Sequence, residues 1–394
     1  MAQVVLKPRK AQPFYGRHPW VLDSAIARVD GAVDDGDVVE LVAPGGDWIA
    51  RGVYNSRSRI RVRLYTWEHE QPLDEDFWRG RLERALALRR QLGYNDAEGA
   101  ARLVFSEADG ISGLIVDRYG SFLAVQPGAA AIAQNLDMWT ELLVELVQPQ
   151  GIVLRSEKGI TSREGFSIDD GLHWGERPPE PVFTTEHGLR YGVELVTGQK
   201  TGFYLDQREN RRIAAGYLAG RRVLDLFCYS GGFALAARQL GEAREVVGID
   251  SSARAIQLAE ANKELNGVTG VRFERRDAFE AMEALASESK RFGAVVLDPP
   301  KFAQSRDAVS RSLRAYHRLN ELAVKLLEPD GMLVTCSCSG YVSREDFAFM
   351  LSGVSRRCGR PIQILESRGA APDHPVSVSC LESEYLKCFI CRVA

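Results

Sequence analysis

Val223-Leu224-Asp225-Leu226-Phe227-Cys228-Tyr229-Ser230-Gly231-Gly232-Phe233 decides the fold. An apolar run closes on an acid, turns through a glycine pair and re-enters an apolar periodic segment. That reads as strand, tight turn and helix start. The same unit recurs downstream. Strands are predicted at 222–227, 245–249, 271–275, 293–297, 331–336, 361–367 and 385–392. Helices are predicted near 205–218, 231–240, 252–265, 278–288, 307–327 and 344–355. Repeated strand–helix units imply a parallel, doubly wound α/β sheet. The closing strand has no helix before it, so it is expected to run antiparallel.

In such a sheet ligands bind beyond the carboxyl ends of the strands. The motifs of this half sit there: Asp225 to Phe233, Val247-Gly248-Ile249-Asp250, Asp277-Ala278-Phe279, Leu297-Asp298-Pro299-Pro300-Lys301-Phe302 and Thr335-Cys336-Ser337-Cys338-Ser339-Gly340. Gly231 and Gly232 allow the backbone close to a ligand, and helix-start amides favour a carboxylate. The turn lacks the Lys-Ser/Thr of a phosphate-binding loop. Asp250, 25 residues after Asp225, stands where a carboxylate accepts both ribose hydroxyls. Asp277 is suited to an adenine amine and equally to capping the next helix, with Ala278 and Phe279 beside it. The pattern points to S-adenosylmethionine (SAM), held by Asp225, Phe227, Gly231, Gly232, Asp250, Asp277, Ala278 and Asp298.

Asp298-Pro299-Pro300 fixes a rigid gate beside the transferring methyl. Enzymes that methylate exocyclic amines usually have an aromatic residue next; here it is Lys301, followed by Phe302. Both are expected to face substrate. Carbon 5 of a pyrimidine becomes nucleophilic only after a thiolate adds at carbon 6. Cys336 and Cys338 flank the strand end, and alternation turns them to one side. Cys338 lies nearer the opening and is the expected nucleophile; Cys336 reads as core. Cys388 and Cys391 form a lone CxxC in an apolar strand, without the second pair a zinc site needs. No metal is expected.

Upstream, residues 1–67 read as short strands with turns at Asp35-Gly36-Asp37 and Pro44-Gly45-Gly46-Asp47. Arg57, Arg59, Arg61 and Arg63 alternate with Ile60, Val62 and Leu64 across the last of them, which puts the arginines on one face. This module is a small β-barrel candidate. Between lies an α+β unit: a helix at 74–93 capped by Asp74, strands near 102–107, 111–118 and 121–126, a helix at 130–147, a strand at 151–156 and a polar connector over 158–179.

The chain has 394 residues, enough for two or three domains, and 45% apolar with 26% charged residues mark a globular protein. Its formal net charge of −3 gives no global nucleic-acid signal. Residues 1–67, however, carry ten Lys and Arg against seven Asp and Glu, which suits a polyanion contact on that side. Seven cysteines, all in the second half, argue against a disulfide framework and for the reducing cytoplasm. No secretory leader and no membrane span is expected.

Gly16-Arg17-His18-Pro19-Trp20-Val21 resembles the start of a PUA domain in bacterial rRNA methyltransferases. Gly113 to Gly120, Gly198 to Gln207, the Asp-Leu-Phe-x-x-x-Gly-Gly-Phe turn, Asp298 to Phe302, Ser337-Cys338-Ser339-Gly340 and Asp373-His374-Pro375-Val376 resemble the RlmI-type family of 23S rRNA cytosine-5 methyltransferases. The resemblance covers essentially the whole chain. It implies a PUA domain at 1–70, a central EEHEE domain at 71–190 and a Rossmann-like class I methyltransferase at 191–394. It also implies that Cys338 carries the covalent step, and that Gln199, Lys200, Thr201 and Gly202 close over SAM. His374 is carried as a substrate contact.

Two departures stand out. Tyr229 occupies a position that is glycine in many methyltransferases. The Asp-Pro-Pro-Lys motif lacks the second cysteine with which many RNA cytosine-5 enzymes release product. Asp298, a bound water or Cys336 must then handle the carbon-5 proton. The expected protein is a cytoplasmic SAM-dependent RNA methyltransferase that forms 5-methylcytosine in 23S rRNA of a free or partly assembled large subunit. The sequence does not fix the oligomeric state; a homodimer is one assembly it allows. Guanine-N7 methylation on the same scaffold, a non-catalytic RNA-binding or ribosome-assembly role, and small-molecule methylation are the rivals.

Overall fold

The computed structural model describes residues 1–394 except Thr197, Gln199, Lys200, Gln304 and the side chain of Lys158. It divides into two compact units. The first comprises Met1–Thr184, Val193–Leu205 and Pro372–Ser383; the second comprises Thr185–Gly192, Asp206–Ala371 and Glu384–Ala394.

The first unit begins with β1 (Ala2–Leu6), β2 (Trp20–Leu22), β3 (Ile26–Asp30), β4 (Val38–Val42), β5 (Trp48–Tyr54) and β6 (Ile60–Thr66). They form one sheet in the order β2-β6-β5-β4-β1-β3, with β1 parallel to β4. The inward side chains Val4, Leu6, Val21, Leu41, Ile49, Val62 and Leu64 pack with Phe14 into one core.

A second sheet follows: β7 (Ala100–Phe105), β8 (Leu114–Tyr119), β9 (Phe122–Pro127), β10 (Gly151–Leu154) and β11 (Gly171–Gly175), ordered β11-β10-β9-β8-β7. β9 and β10 are parallel, joined across the helix Leu136–Val147. β8-β9-helix-β10-β11 thus carries the strand–strand–helix–strand–strand order, with β7 added at the edge. The helix Glu75–Gln91 lays Phe77, Trp78, Leu82, Ala85 and Leu86 on this sheet. Asp74 caps it by accepting from the Phe77 amide.

Two sequence expectations change here. The helix predicted at 130–147 is two, Ala130–Ala133 and Leu136–Val147, because Asn135 leaves helical geometry and its side chain donates back to the Ala131 carbonyl. The polar stretch 158–179 holds a helix, Lys158–Glu164, and the edge strand β11. Nearly every β11 residue is exposed, so the strand carries no apolar alternation to read. Val182–Glu186 and Leu189–Val193, β12 and β13, form a two-stranded sheet.

The second unit is built on β14 (Arg222–Leu226), β15 (Glu245–Asp250), β16 (Val271–Arg275), β17 (Phe292–Leu297), β18 (Leu327–Ser337), β19 (Ile362–Arg368) and β20 (Lys387–Val393). Their order is β16-β15-β14-β17-β18-β20-β19. The first five are parallel, and β20 enters antiparallel to both β18 and β19, as its missing crossover helix predicted. Leu224, Leu226, Val247, Ile249, Val295, Leu297 and Phe389 fill the core, with helix residues such as Tyr316 and Phe347 packed against them. Strands covered on both faces read as continuous apolar runs, which is why this half was the most legible. Strand order reverses at β14 and β17, so the crevice beyond their carboxyl ends is the switch point where such sheets bind ligands.

Candidate active site

The turn after β14 is shaped by three left-handed residues: Phe227 at φ 62°, Tyr229 at 47° and Gly231 at 82°. A side chain in that region is strained, and such strain collects at functional sites. Tyr229 thus adopts the conformation that glycine supplies elsewhere. Gly231 is required for a second reason: a Cβ there would lie 2.8 Å from the Phe273 ring. Gly248 is tighter still, since its Cβ would lie 2.4 Å from the same ring. Phe273 on β16 is a floor under the turn that the sequence motifs did not single out.

Asp225, Asp250 and Asp298 edge the crevice, with Asp277 at the start of the next helix. Asp250 is half-buried and fixed by two amides: Tyr229 N–H donates to Oδ2 at 3.1 Å and Ser252 N–H to Oδ1 at 2.9 Å. Asp225, 1% exposed, has neither oxygen in a well-formed hydrogen bond among the described residues. Burial raises its pKa well above the carboxylate range, Asp298 and Asp250 push it further, and the Ala234 amide at the following helix start pulls it partly back. An orphaned buried carboxylate amid two others fits a ligand that brings positive charge and hydroxyl donors, as SAM does. Asp277 caps the helix Ala278–Ser287: its Oδ1 accepts from the amides of Phe279 and Glu280. Ala278 is buried beneath it.

The third carboxylate, Asp298, follows β17. Gln207 Nε2 donates to its Oδ1 at 2.9 Å. Gln207 is itself oriented, because Asn210 Nδ2 donates to its Oε1 at 2.7 Å and Arg368 Nε donates to Asn210 Oδ1 at 3.0 Å. A guanidinium can only donate. The amides are therefore forced, link by link, to present an N–H to Asp298. Gln207 lay within the quoted run 198–207 but without a role, and Asn210 and Arg368 were not singled out. No local signal marks them, because their partners are distant in sequence.

Cys338 follows β18 directly and is partly exposed, whereas Cys336 is fully buried opposite Cys388 of β20. Burial, then Cys388 and Asp298, push the Cys336 thiol well above its ordinary range. The turn bearing Cys338 is latched to the chain that follows Asp298–Pro300: the Ala303 amide donates to Ser339 Oγ at 3.1 Å, and the Tyr316 hydroxyl lies 3.2 Å from the same oxygen. Lys301 is exposed beside it. Phe302 is turned onto Tyr316, ring centroids 4.7 Å apart, so its ring is part of the packing rather than an open stacking face.

Other expected contacts lie in the first unit. Arg57 and Arg59 are exposed and Arg61 is half-buried. Arg63 does not belong with them: it is 8% exposed, with Glu164 at 2.8 Å and Glu107 at 3.3 Å, because both faces of β6 are covered. His374 is likewise no surface contact. It is 3% exposed, bonded through Nδ1 to Asp373 at 2.8 Å and set against the Phe105 ring. Asp373 in turn receives the Arg102 amide, so the Asp373-His374 pair is a packing clamp. Thr201 directs its hydroxyl to Asp117, and Gly202, at φ 127°, packs near Val193 and Leu195. Gln199 and Lys200 lie outside the described residues.

Residues 4–67 match a PUA-like domain family, and residues 159–379 match the S-adenosylmethionine-dependent methyltransferase family. A ribosomal RNA large subunit methyltransferase I from Erwinia tasmaniensis is 36% identical, covering 99% of each chain. One of the same name from Aeromonas hydrophila is 39% identical, again over 99% of each. Among solved structures, a putative SAM-dependent methyltransferase from Streptococcus mutans superposes with a TM-score of 0.86 over 100% of both chains at 20% identity. A putative methyltransferase solved with SAH gives 0.87 at the same coverage and identity.

Proposed function

The chain belongs to the ribosomal RNA large subunit methyltransferase I family, a SAM-dependent rRNA methyltransferase with an N-terminal PUA-like domain, and on that premise we propose that it methylates carbon 5 of a cytosine in 23S rRNA through a covalent bond from Cys338. The observation that supports this reading is the contrast between two thiols on one strand end. Cys338 is partly exposed at the crevice and joined through Ser339 to Ala303, just past the Asp298–Pro300 turn, while Cys336 is sealed in the core.

SAM, when bound, supplies an electrophilic methyl group. The residues of the chain do the rest. Asp250, with both oxygens set by amides, receives the ribose hydroxyls, and Asp277 and Ala278 border the adenine. Asp225 meets the cationic end of the amino acid. The target base is flipped from its helix at a cost of a few kcal/mol. The Cys338 thiolate adds to carbon 6, and the electron pair moves to carbon 5, which takes the methyl. Asp298, held by Gln207, then accepts the carbon-5 proton. The returning electron pair restores the 5,6 double bond and expels the thiolate. Cys336, kept protonated by burial, takes no part.

Under the same proposal the boundaries are 1–70, 71–190 and 191–394, and Gln199 to Gly202 close over SAM. Lys301 borders the base, with Phe302 packed on Tyr316 behind it, and Arg57, Arg59 and Arg61 hold RNA phosphates. The substrate is a free or partly assembled large subunit in the cytoplasm, and the enzyme is a homodimer, which light scattering after size exclusion reads. Mass spectrometry of 23S rRNA from a strain lacking the gene, complemented with wild type or Cys338→Ala, tests the reaction. A 5-methylcytosine restored by wild type and not by the variant is expected. A mark restored equally by Cys338→Ala, such as 7-methylguanine, refutes the covalent reading.

A further inference from the structure

Lys387 heads an apolar run, Cys388-Phe389-Ile390-Cys391. It opens β20 and pairs in register with Ser337, the residue before Cys338. It is 2% exposed. Its Nζ donates to the Ser339 carbonyl at 2.7 Å and to the Tyr385 carbonyl at 2.8 Å. The ammonium therefore grips the backbone on the far side of Cys338 from its own register partner.

Burying an ammonium costs several kcal/mol unless dipoles and a counter-charge offset it. The two carbonyls supply dipoles only. Among the described residues, Cys338 and Glu384 favour the charge of Lys387, and Arg344 and Lys301 oppose it. Glu384 is engaged by Arg344 at 2.6 Å. Of these groups among the described residues, Cys338 is thus the remaining source of negative charge, and it becomes negative only as a thiolate.

We propose that Lys387 is the positioning residue for the nucleophile: its buried ammonium pins the Ser337–Gly340 turn and supplies the positive charge that holds Cys338 as a thiolate. This rests on the Cys338 reading given above. The comparison with Cys336 supports it. Cys336 sits one register position away from Ser337, opposite Cys388 rather than a cation, and its thiol is pushed up. Two thiols two residues apart are so divided into a reactive and an inert one. Burial brings Lys387 itself down to about 8. The pair is therefore intact near neutral pH and loses its cation on the alkaline side.

The test is the pH dependence of iodoacetamide alkylation at Cys338 in the full-length protein, read by peptide mass spectrometry, with Cys336 as the buried reference. In wild type the midpoint is expected below the ordinary thiol value of about 8.5. Lys387→Met is expected to raise it by about one pH unit, the lower end of what a neighbouring opposite charge contributes. Lys387→Arg is expected to restore most of that shift. A folded Lys387→Met protein with the wild-type midpoint overturns the proposal. If the variants fail to fold, the wild-type midpoint decides, and a value at or above 8.5 overturns it. Methyl transfer is assayed separately: activity retained by Cys338→Ala ends the cytosine reading, while the alkylation shift stands or falls without it.

Discussion

Asp225→Asn isolates the electrostatics of the cofactor crevice, since it keeps the shape of the side chain and removes its charge. Asp225 is 1% exposed and its carboxyl is raised by burial, then by Asp298 and Asp250. A group whose folded pKa is raised contributes stability below its unfolded value, about 3.9, and loses it as pH climbs through the folded value. In that window wild-type stability falls by about 1.4 kcal/mol per pH unit from this residue. For a domain of this size that is about 3–5 °C in Tm per pH unit. The Asn variant lacks the loss. The ligand-free variant should therefore melt above wild type, by a margin that widens from pH 5 upward until the folded value is passed. S-adenosylmethionine should reverse the ranking, because its cationic groups compensate the wild-type carboxylate and find no charge in the variant. Thermal unfolding of both proteins from pH 5 to 8, with and without ligand, measures this. Parallel curves, or a variant that gains as much from ligand as wild type, would refute the reasoning.

Other expectations follow from packing and charge. Replacing Arg57, Arg59 or Arg61 by Ala should weaken RNA binding and lower the slope of log affinity against log salt by about 0.7–0.9 each, as read by filter binding at several salt concentrations. Arg63→Ala should instead destabilise the first unit by about 3–5 kcal/mol, because Glu164 and Glu107 lose their buried cation; denaturant melts would show it. Gly248→Ala forces a Cβ to 2.4 Å from Phe273 and should cost about 1–3 kcal/mol through overpacking, with cofactor affinity by calorimetry falling in step. Gln207→Leu severs the chain from Arg368 to Asp298. It should slow single-turnover methyl transfer about tenfold or more while leaving SAM affinity within a few fold, one lost hydrogen bond to a charged group being worth about 1.5–3 kcal/mol.

The site was legible where function and local chain geometry coincide. Asp225 and Asp250 lie at the carboxyl ends of β14 and β15, and Asp277 and Asp298 follow β16 and β17, so strand periodicity located them. Asp74 and Asp277 cap their helices because the residue before an apolar periodic run has one local task. The misses share another cause. The β6 arginines alternate as read, yet alternation states which face a residue takes and says nothing of what covers it; Glu107 and Glu164 cover Arg63. His374 looked functional in a Pro-flanked loop, and only its burial with Asp373 and Phe105 reveals a clamp. β11 escaped because an exposed edge strand has no apolar face.

The sequence by itself determined the doubly wound sheet, its antiparallel last strand and the motifs at its ligand edge, because hydrophobic period, glycine turns and cap residues act within a few positions of the chain. The tertiary structure alone decided which amide orients Asp298 and which lysine lies beneath the Ser337–Gly340 turn. Those choices are made by register and burial between strands far apart in sequence. Cys336 opposite Cys388 and Ser337 opposite Lys387 differ by one position across β18 and β20, and that single step separates a sulfur sealed in the core from a residue facing a buried lysine.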